Sequence, residues 1–497
     1  MRIRPHITLL FLISVFTVLF FISVFFFTIL PKEKDSFSLF GGLKISFFKP
    51  SEIFTIKEQY ADISEIIKQN RILNDSVDEF QKTDSISVPR VDTIRVNADS
   101  LKRSIRKLEF PRSKRNILFP VFKAMERAKE TNNVVRIMHF GDSQIEGDRI
   151  TSFIRSKLQN KFGGSGVGLI PARQIYDFKY SVFHEASDNW HRYTLYGRKD
   201  TLIKHKRYGI LASFNSFTKQ PIDTFNTNTS LKRAWISIEE SPYSYKNTKK
   251  FEQCRFFYGH NRTPFKLKLF ADNEIADSGT FSPTNKLKQL HWMFSQPISS
   301  LYFDFEGILS PEVYAIALDG KSGIAVDNIA MRGCAGLVFN KTDPDLFRKL
   351  IDMLDVKLII MQFGGNMVPN IRKNYSFYER WFYTQLKFIR SYAPDVQIIV
   401  IGVADMSIKK GTRYVSYPNI ELIRDAMKKA TFKAGAIYWD MYEAMGGKNS
   451  MPSWVFAQPA LAGKDFVHFN PRGAKIIANM FYNALMHEYR YYKEKRN

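Results

Sequence analysis

Cysteine is scarce in this chain, with only Cys254 and Cys334 among 497 residues. The pair forms no C-x-x-C motif and no zinc spacing, and its separation leaves a disulfide undecided. Two catalytic signatures are also missing. Without H-E-x-x-H a zincin is disfavoured, and without G-x-S-x-G so is the ordinary α/β-hydrolase elbow. No metal and no cofactor is expected. Acidic residues are in deficit, 48 against 73 basic ones, for a formal charge of +25. The excess runs along the whole chain, which suits anionic surfaces such as phospholipid headgroups or acidic glycans, and equally a general basic bias without a specific partner. With no zinc-finger spacing and no basic region leading into heptads, a nucleic-acid partner is not expected.

Long apolar runs are confined to one place. ITLLFLISVFTVLFFISVFFFTIL, residues 7–30, carries no charge and is long enough to cross a hydrocarbon core of ~30 Å as a helix. It ends in LPKEKD, with neither an A-x-A-like cleavage site nor a following cysteine, so an uncleaved signal anchor fits better than a cleaved signal or a lipoprotein. Arg2 and Arg4 place the N-terminus in the cytoplasm, and Lys32 and Lys34 on the other flank weaken that asymmetry. The remainder is then expected on the extracytoplasmic, periplasmic side of the cytoplasmic membrane.

What is present is enough for two or three folded units, with 44% apolar and 15% aromatic residues. Residues 31–112 read as a juxtamembrane stalk or accessory region, helical over 51–73 and extended over 83–100. From 113 a strand–helix alternation begins: FPVFKAMERAKE, VVRIMHF, DRITSFIRSKLQNKF. It resumes with VKLIIMQF, YERWFYTQLKFIRSYA, VQIIVIGV, IELIRDAMKKATFKAG, AIYWD and PRGAKIIANMFYNALMHEY. This is the pattern of an α/β fold, a parallel sheet with helices on both faces, expected over 113–177 and 324–497. Residues 178–323 carry short strand-like pieces instead, including RAWISIEE, CRFFYGH and FKLKLFAD, which predicts an inserted β-sandwich of jelly-roll type. Its aromatic residues either stack on sugars or fill its core.

Ligands of such parallel sheets lie beyond the carboxyl ends of the strands. There the chain places FGDSQIEGD (140–148), FGGN (363–366) and ADMS (404–407). Gly-Asp-Ser alone suits an ordinary turn as well as a nucleophile. Near the C-terminus GKDFVHFNPRGAKI sets Asp465 three residues before His468. A serine hydroxyl needs a base to take its proton and a carboxylate to orient that base, and Asp-x-x-His offers both. RGCAG (332–336) and FGGN offer backbone N–H groups and the Asn366 side chain to a developing oxyanion.

In this order, GDS at 141–143, the Gly loop at 332–336, GGN at 364–366 and DFVH at 465–468, the chain resembles the SGNH/GDSL hydrolases. NKFGGSGVGLIP downstream of the first block and SMPSWV before the last resemble the peptidoglycan O-acetylesterase branch, in which a carbohydrate-binding-like β-domain interrupts the catalytic fold. The resemblance covers about 113–497 and implies a flavodoxin-like three-layer domain. It also implies Ser143 as nucleophile, His468 as general base and Asp465 as its orienting partner. The oxyanion hole would comprise the Ser143 N–H, Gly336 and Asn366, with Gly333 an alternative to Gly336 because GCAGL departs from the usual G-x-N-G-A. GGNM replaces the frequent G-x-N-D. The expected substrate is an acylated polysaccharide. Two other readings stay open: an O-acyltransferase working beside a membrane-bound O-acyltransferase partner, and a non-catalytic glycan-binding protein. Asp148, Arg149, Asp405 and Trp454 fall near the cleft by position, each with an ordinary structural use.

Overall fold

In the computed structural model, residues 5–29, 37–39, 43–45, 60–70, 106–176, 181–198, 200–220 and 230–496 are described. They divide into two compact units, Met1–Gln59 and Tyr60–Asn497. In the first, helix α1 runs Pro5–Ile29 and two short strands pair antiparallel, Phe37–Leu39 with Leu43–Ile45. Side chains of α1 are described at 9–22, 24 and 25. Among the described residues no helix is long and apolar enough to cross a membrane, so the expected transmembrane helix is not established by the structure. The extended segment expected at 83–100 lies outside the described residues.

The second unit is built on five parallel strands, β1 (Val134–Gly141), β2 (Gly323–Ala330), β3 (Val356–Gln362), β4 (Gln397–Ile401) and β5 (Ile437–Trp439), in spatial order β2-β1-β3-β4-β5. That order is the flavodoxin-like doubly wound one, whose ligand crevice opens where β1 and β3 lie side by side. Alternate side chains divide between two cores. Met138 and Phe140 of β1 join α4 (Pro344–Met353), α5 (Ser376–Tyr392) and α6 (Ile420–Lys433) on one face. Val135 and Ile137 join α2 (Phe119–Arg127), α3 (Thr151–Phe162) and α7 (Pro471–Arg496) on the other. Burial on both faces explains why β3 and β4 read as near-continuous apolar runs.

β2 is an element the sequence reading lacked. GIAVDNIA carries Asp327 and Asn328 within the strand, and both are engaged: Asp327 with the Arg136 guanidinium, 2.5 Å, and Asn328 with the Ile145 carbonyl, 2.9 Å. Two pieces of the expected stalk also pack on this unit. Ala61 donates its N–H to Asn449, and Glu109 pairs with Tyr438 at the edge of β5.

Between α3 and β2 the chain forms two antiparallel sheets. One has five strands, ordered Glu274–Phe281, Phe265–Ala271, Ser300–Gly307, Lys232–Glu240, Val182–Ala186. The other runs Lys288–Ile298, Phe251–Gly259, Glu312–Asp319, Ser213–Ser216, His191–Thr194, with Gly168–Ile170 also pairing to Glu312–Asp319. Ile236, Phe303 and Phe305 of the first and Phe256, Ile316 and Leu318 of the second share one core. Trp190, Phe217, Phe251 and Phe265 of the insert also fill it, whereas Tyr193, Tyr208, Phe214 and Tyr314 pack in the same core as Met138 and Phe140. Where this sandwich meets the parallel sheet, the fully buried Arg136 of β1 pairs with Asp327 of β2 and with Asp319 at the end of a sandwich strand. Cys254 and Cys334 are both free and buried.

Candidate active site

The first turn leaves β1 where it touches β3. A Cβ on Gly141 would meet the Gln362 carbonyl oxygen at 3.0 Å and Ile145 at 2.9 Å, so only glycine lets the chain turn this close to the neighbouring strand. Asp142 then accepts the Gln144 N–H at 3.0 Å and caps the short helical turn Ser143–Asp148. This capping sets Ser143 at the first position of the turn, at the carboxyl edge of the sheet.

His468 reaches the same point from the other end of the chain. Its Nε2 lies 2.8 Å from Ser143 Oγ, and its Nδ1 lies 2.7 Å from Asp465 Oδ2. The other carboxylate oxygen, Oδ1, accepts the N–H groups of Val467 and His468 at 3.0 and 3.1 Å. Partial burial raises the Asp465 pKa, but the bonds from the His468 ring and from these N–H groups outweigh it and hold the carboxyl below its usual range. Asp465 is therefore ionised at neutral pH, and it favours the tautomer with the proton on Nδ1 and Nε2 free to accept from the serine. Asp465 is 49% exposed and His468 33%, more open than a buried triad.

Gln144, unassigned from the sequence, ties the two ends together. Its amide donates to the Val467 carbonyl at 2.6 Å and accepts the Phe469 N–H at 3.5 Å. Arg149 adds bonds to the Glu146 and Phe469 carbonyls at 2.8 and 3.3 Å. Phe466 adopts φ +57° between Asp465 and His468 and stacks on Tyr414, ring centroids 3.5 Å apart. These contacts fix the loop that carries His468.

Asp142 was likewise missed, although it sits inside the quoted motif. Its buried carboxyl is pushed up to about 6 by burial, opposed by the Gln144 N–H, the His468 charge and the Gly365 N–H. Asn366 Nδ2 stands 3.4 Å from Asp142 Oδ2 and donates to the Cys334 carbonyl at 3.0 Å. The Gly336 N–H points at Cys334 Sγ, 3.3 Å away. Sulfur is a weak acceptor, so this donor exchanges readily for an anionic oxygen. Gly336 (φ +77°) abuts the Phe363 ring, where a Cβ would come within 2.9 Å, whereas nothing lies within 4 Å of a Cβ on Gly333. Gly336 is thus packed against Phe363, the residue before the GGN loop.

The remaining positions have structural uses. Asp148 pairs with Arg155 at 2.5 Å. Asp405 is buried, pushed up to about 6 by burial, and accepts from Ser416 Oγ at 2.6 Å and the Met451 N–H at 2.8 Å. Trp454 packs on Phe469, and its indole donates to the Met445 carbonyl. Beside the Ser143–Asp148 turn a cavity of about 110 Å³ opens between Glu146–Asp148 and the sandwich residues Val182, His184 and Arg192. Among the described residues no group of His, Cys, Asp and Glu is arranged to hold a metal.

No family model matches this chain, and no curated protein matches it. Solved structures do. The chain is similar to a peptidoglycan O-acetylesterase at 16% identity and a TM-score of 0.56, over 75% of this chain and 95% of that one. It also matches a GDSL-like lipase from Parabacteroides merdae (18% identity, TM-score 0.25, 32% of this chain and 72% of that one) and a family two carbohydrate esterase from Clostridium thermocellum in complex with cellohexaose (7%, 0.23, 60% and 98%). The first likeness shows the fold. The chain resembles the SGNH/GDSL hydrolases, with additional antiparallel sheets beside the parallel one.

Proposed function

We propose that this protein is a serine esterase that removes short acyl groups, acetyl foremost, from cell-envelope polysaccharide, with peptidoglycan as its substrate. The observation that carries the reading is the relay Ser143–His468–Asp465, with hydrogen bonds of 2.8 and 2.7 Å. The fold shared with a peptidoglycan O-acetylesterase supports it.

Ser143 Oγ attacks the ester carbonyl as His468 Nε2 takes its proton, and Asp465 stabilises the imidazolium. The Ser143 N–H, Gly336 N–H and Asn366 Nδ2 receive the oxyanion, Gly336 releasing its sulfur contact and Asn366 its neighbours. His468 then protonates the leaving sugar oxygen, and a water activated by His468 resolves the acyl-enzyme. The half-open relay favours water as the second acceptor over a sugar hydroxyl, because solvent reaches His468 directly. That exposure is the argument for an esterase over an O-acyltransferase.

The uncharged segment 7–30 anchors the chain in the cytoplasmic membrane, with the catalytic unit on the extracytoplasmic side. In support, Leu9, Phe11, Phe16 and Phe21 of α1 are exposed apolar side chains, and the sequence over 7–30 is long enough for a span.

The test is acetate release from O-acetylated peptidoglycan by the full chain and by Ser143→Ala, with and without an added sugar acceptor. Ser143-dependent release without acceptor is expected. Transfer to the acceptor with no release makes the protein a transferase, and neither activity overturns the reading.

A further inference from the structure

The sandwich carries a second concavity, which shares no lining residue with the cavity beside the nucleophile turn. It is an open cavity of about 1080 Å³ lined by Lys204, Arg207, Arg262, Lys286 and Lys288, with Glu312 the one carboxylate among its described lining residues. Five permanent cations face one anion here, against 73 to 48 in the whole chain, so the general basic bias does not account for the concentration.

The single carboxylate is already engaged. Arg207 meets Glu312 with two hydrogen bonds, 3.1 and 2.5 Å, and the Tyr314 hydroxyl donates to it at 2.8 Å. Among the described residues, Lys204, Arg262, Lys286 and Lys288 form no ion pair. Like charges gathered in a hollow repel one another and concentrate a positive potential there, a cost removed when a polyanion enters. Gln220, Thr284 and Asn285 line the same space and bring amide and hydroxyl groups suited to sugar hydroxyls.

We propose that this cavity binds a segment of anionic glycan, one whose sugars bear carboxylate or phosphate groups. A concave site with both cations and amides fits a chain that can enter it, whereas a lipid surface presents its charges on a broad plane. The site holds the enzyme on a charged envelope polymer and is independent of the chemistry at Ser143.

The test measures binding of oligogalacturonate, of a phosphorylated oligosaccharide, of neutral maltohexaose and of phosphatidylglycerol vesicles to the full chain in detergent. Wild type is compared with Arg262→Gln/Lys286→Gln/Lys288→Gln and with Arg472→Gln, a cation away from the cavity, and melting temperatures verify folding. At least one anionic oligosaccharide is expected to bind with an affinity that falls as salt rises. The triple variant should lose about tenfold or more, at a few tenths to 1 kcal/mol per exposed charge. The Arg472 variant and the melting temperature should not change. Equal binding of the neutral oligosaccharide, equal binding by the triple variant, binding to vesicles alone, or no binding of either anionic glycan overturns the proposal.

Discussion

Asp142 Oδ2 and Asn366 Nδ2 stand 3.4 Å apart, and this contact joins the loop after β1 to the loop after β3. The Asp142 carboxyl, next in sequence to Ser143, thus orients the Asn366 side chain. It accepts the N–H groups of Gln144 and Gly365, one from each of these loops, and is buried in doing so.

Burial raises the pKa of Asp142 and of Asp405 from 3.8 to about 6. A carboxyl with a raised folded-state pKa contributes stability that is fully present below its unfolded value and is lost as pH rises through the folded one. Each group therefore costs on the order of 3 kcal/mol between about pH 4 and 6. The melting temperature of wild type measured against Asp405→Asn should fall as pH rises through this window. Parallel curves would contradict the assignment.

The half-open orienting carboxylate predicts a graded relay. Asp465→Asn should lower kcat by about 10²-fold, less than the ~10⁴-fold seen when a buried triad aspartate is neutralised, because solvent screens Asp465. His468→Ala should lose more, about 10⁴-fold or greater. Steady-state kinetics on a small acetyl ester measures both.

Gly336 and Gly333 separate by their surroundings. Both have positive φ, but only Gly336 has a ring within 2.9 Å of the Cβ position. Gly336→Ala should destabilise the protein by about 2–3 kcal/mol and reduce activity, while Gly333→Ala carries backbone strain alone, about 1 kcal/mol. Chemical denaturation and kcat on the same pair give the comparison.

Arg136 is fully buried and serves Asp319 and Asp327 together. Arg136→Met leaves Asp327 without its ion-pair partner and Asp319 with Arg255 alone, a loss of about 3–5 kcal/mol. The melting temperature should drop far more than for Arg255→Met, whose guanidinium meets one carboxylate, Asp319, at 3.2 Å, and the Met353 carbonyl at 3.0 Å.

The sheet and its sites were legible where one physical signal dominated. β3 and β4 are buried on both faces and read as apolar runs. GDS, GGN and ADMS point to one sheet edge because strand ends collect there, whereas D-x-x-H follows no strand and was legible only as a motif. β2 was hidden because Asp327 and Asn328 interrupt its apolar run, their polarity satisfied by partners 191 and 183 residues away, Arg136 and Ile145. Gln144 and Asp142 escaped notice for a similar reason. Their partners, Val467 and Asn366, are brought near only by the parallel pairing of β1 and β3 and the return of the C-terminal loop. Of the two short pieces of the stalk that dock, 60–70 lies within the segment read as helical and 106–112 does not, and the docking of both was hidden because their partners, Asn449 and Tyr438, are far along the chain.

The central claim is that Ser143 carries the acyl group. The most direct measurement is intact-mass and peptide-mass analysis of the full chain quenched with acid during turnover of an activated acetyl ester. The account predicts one acetyl group on the peptide containing Ser143, absent in Ser143→Ala and accumulating in a His468 variant slow to deacylate. Turnover with no acetyl on that peptide, or the same labelling in Ser143→Ala, would contradict it.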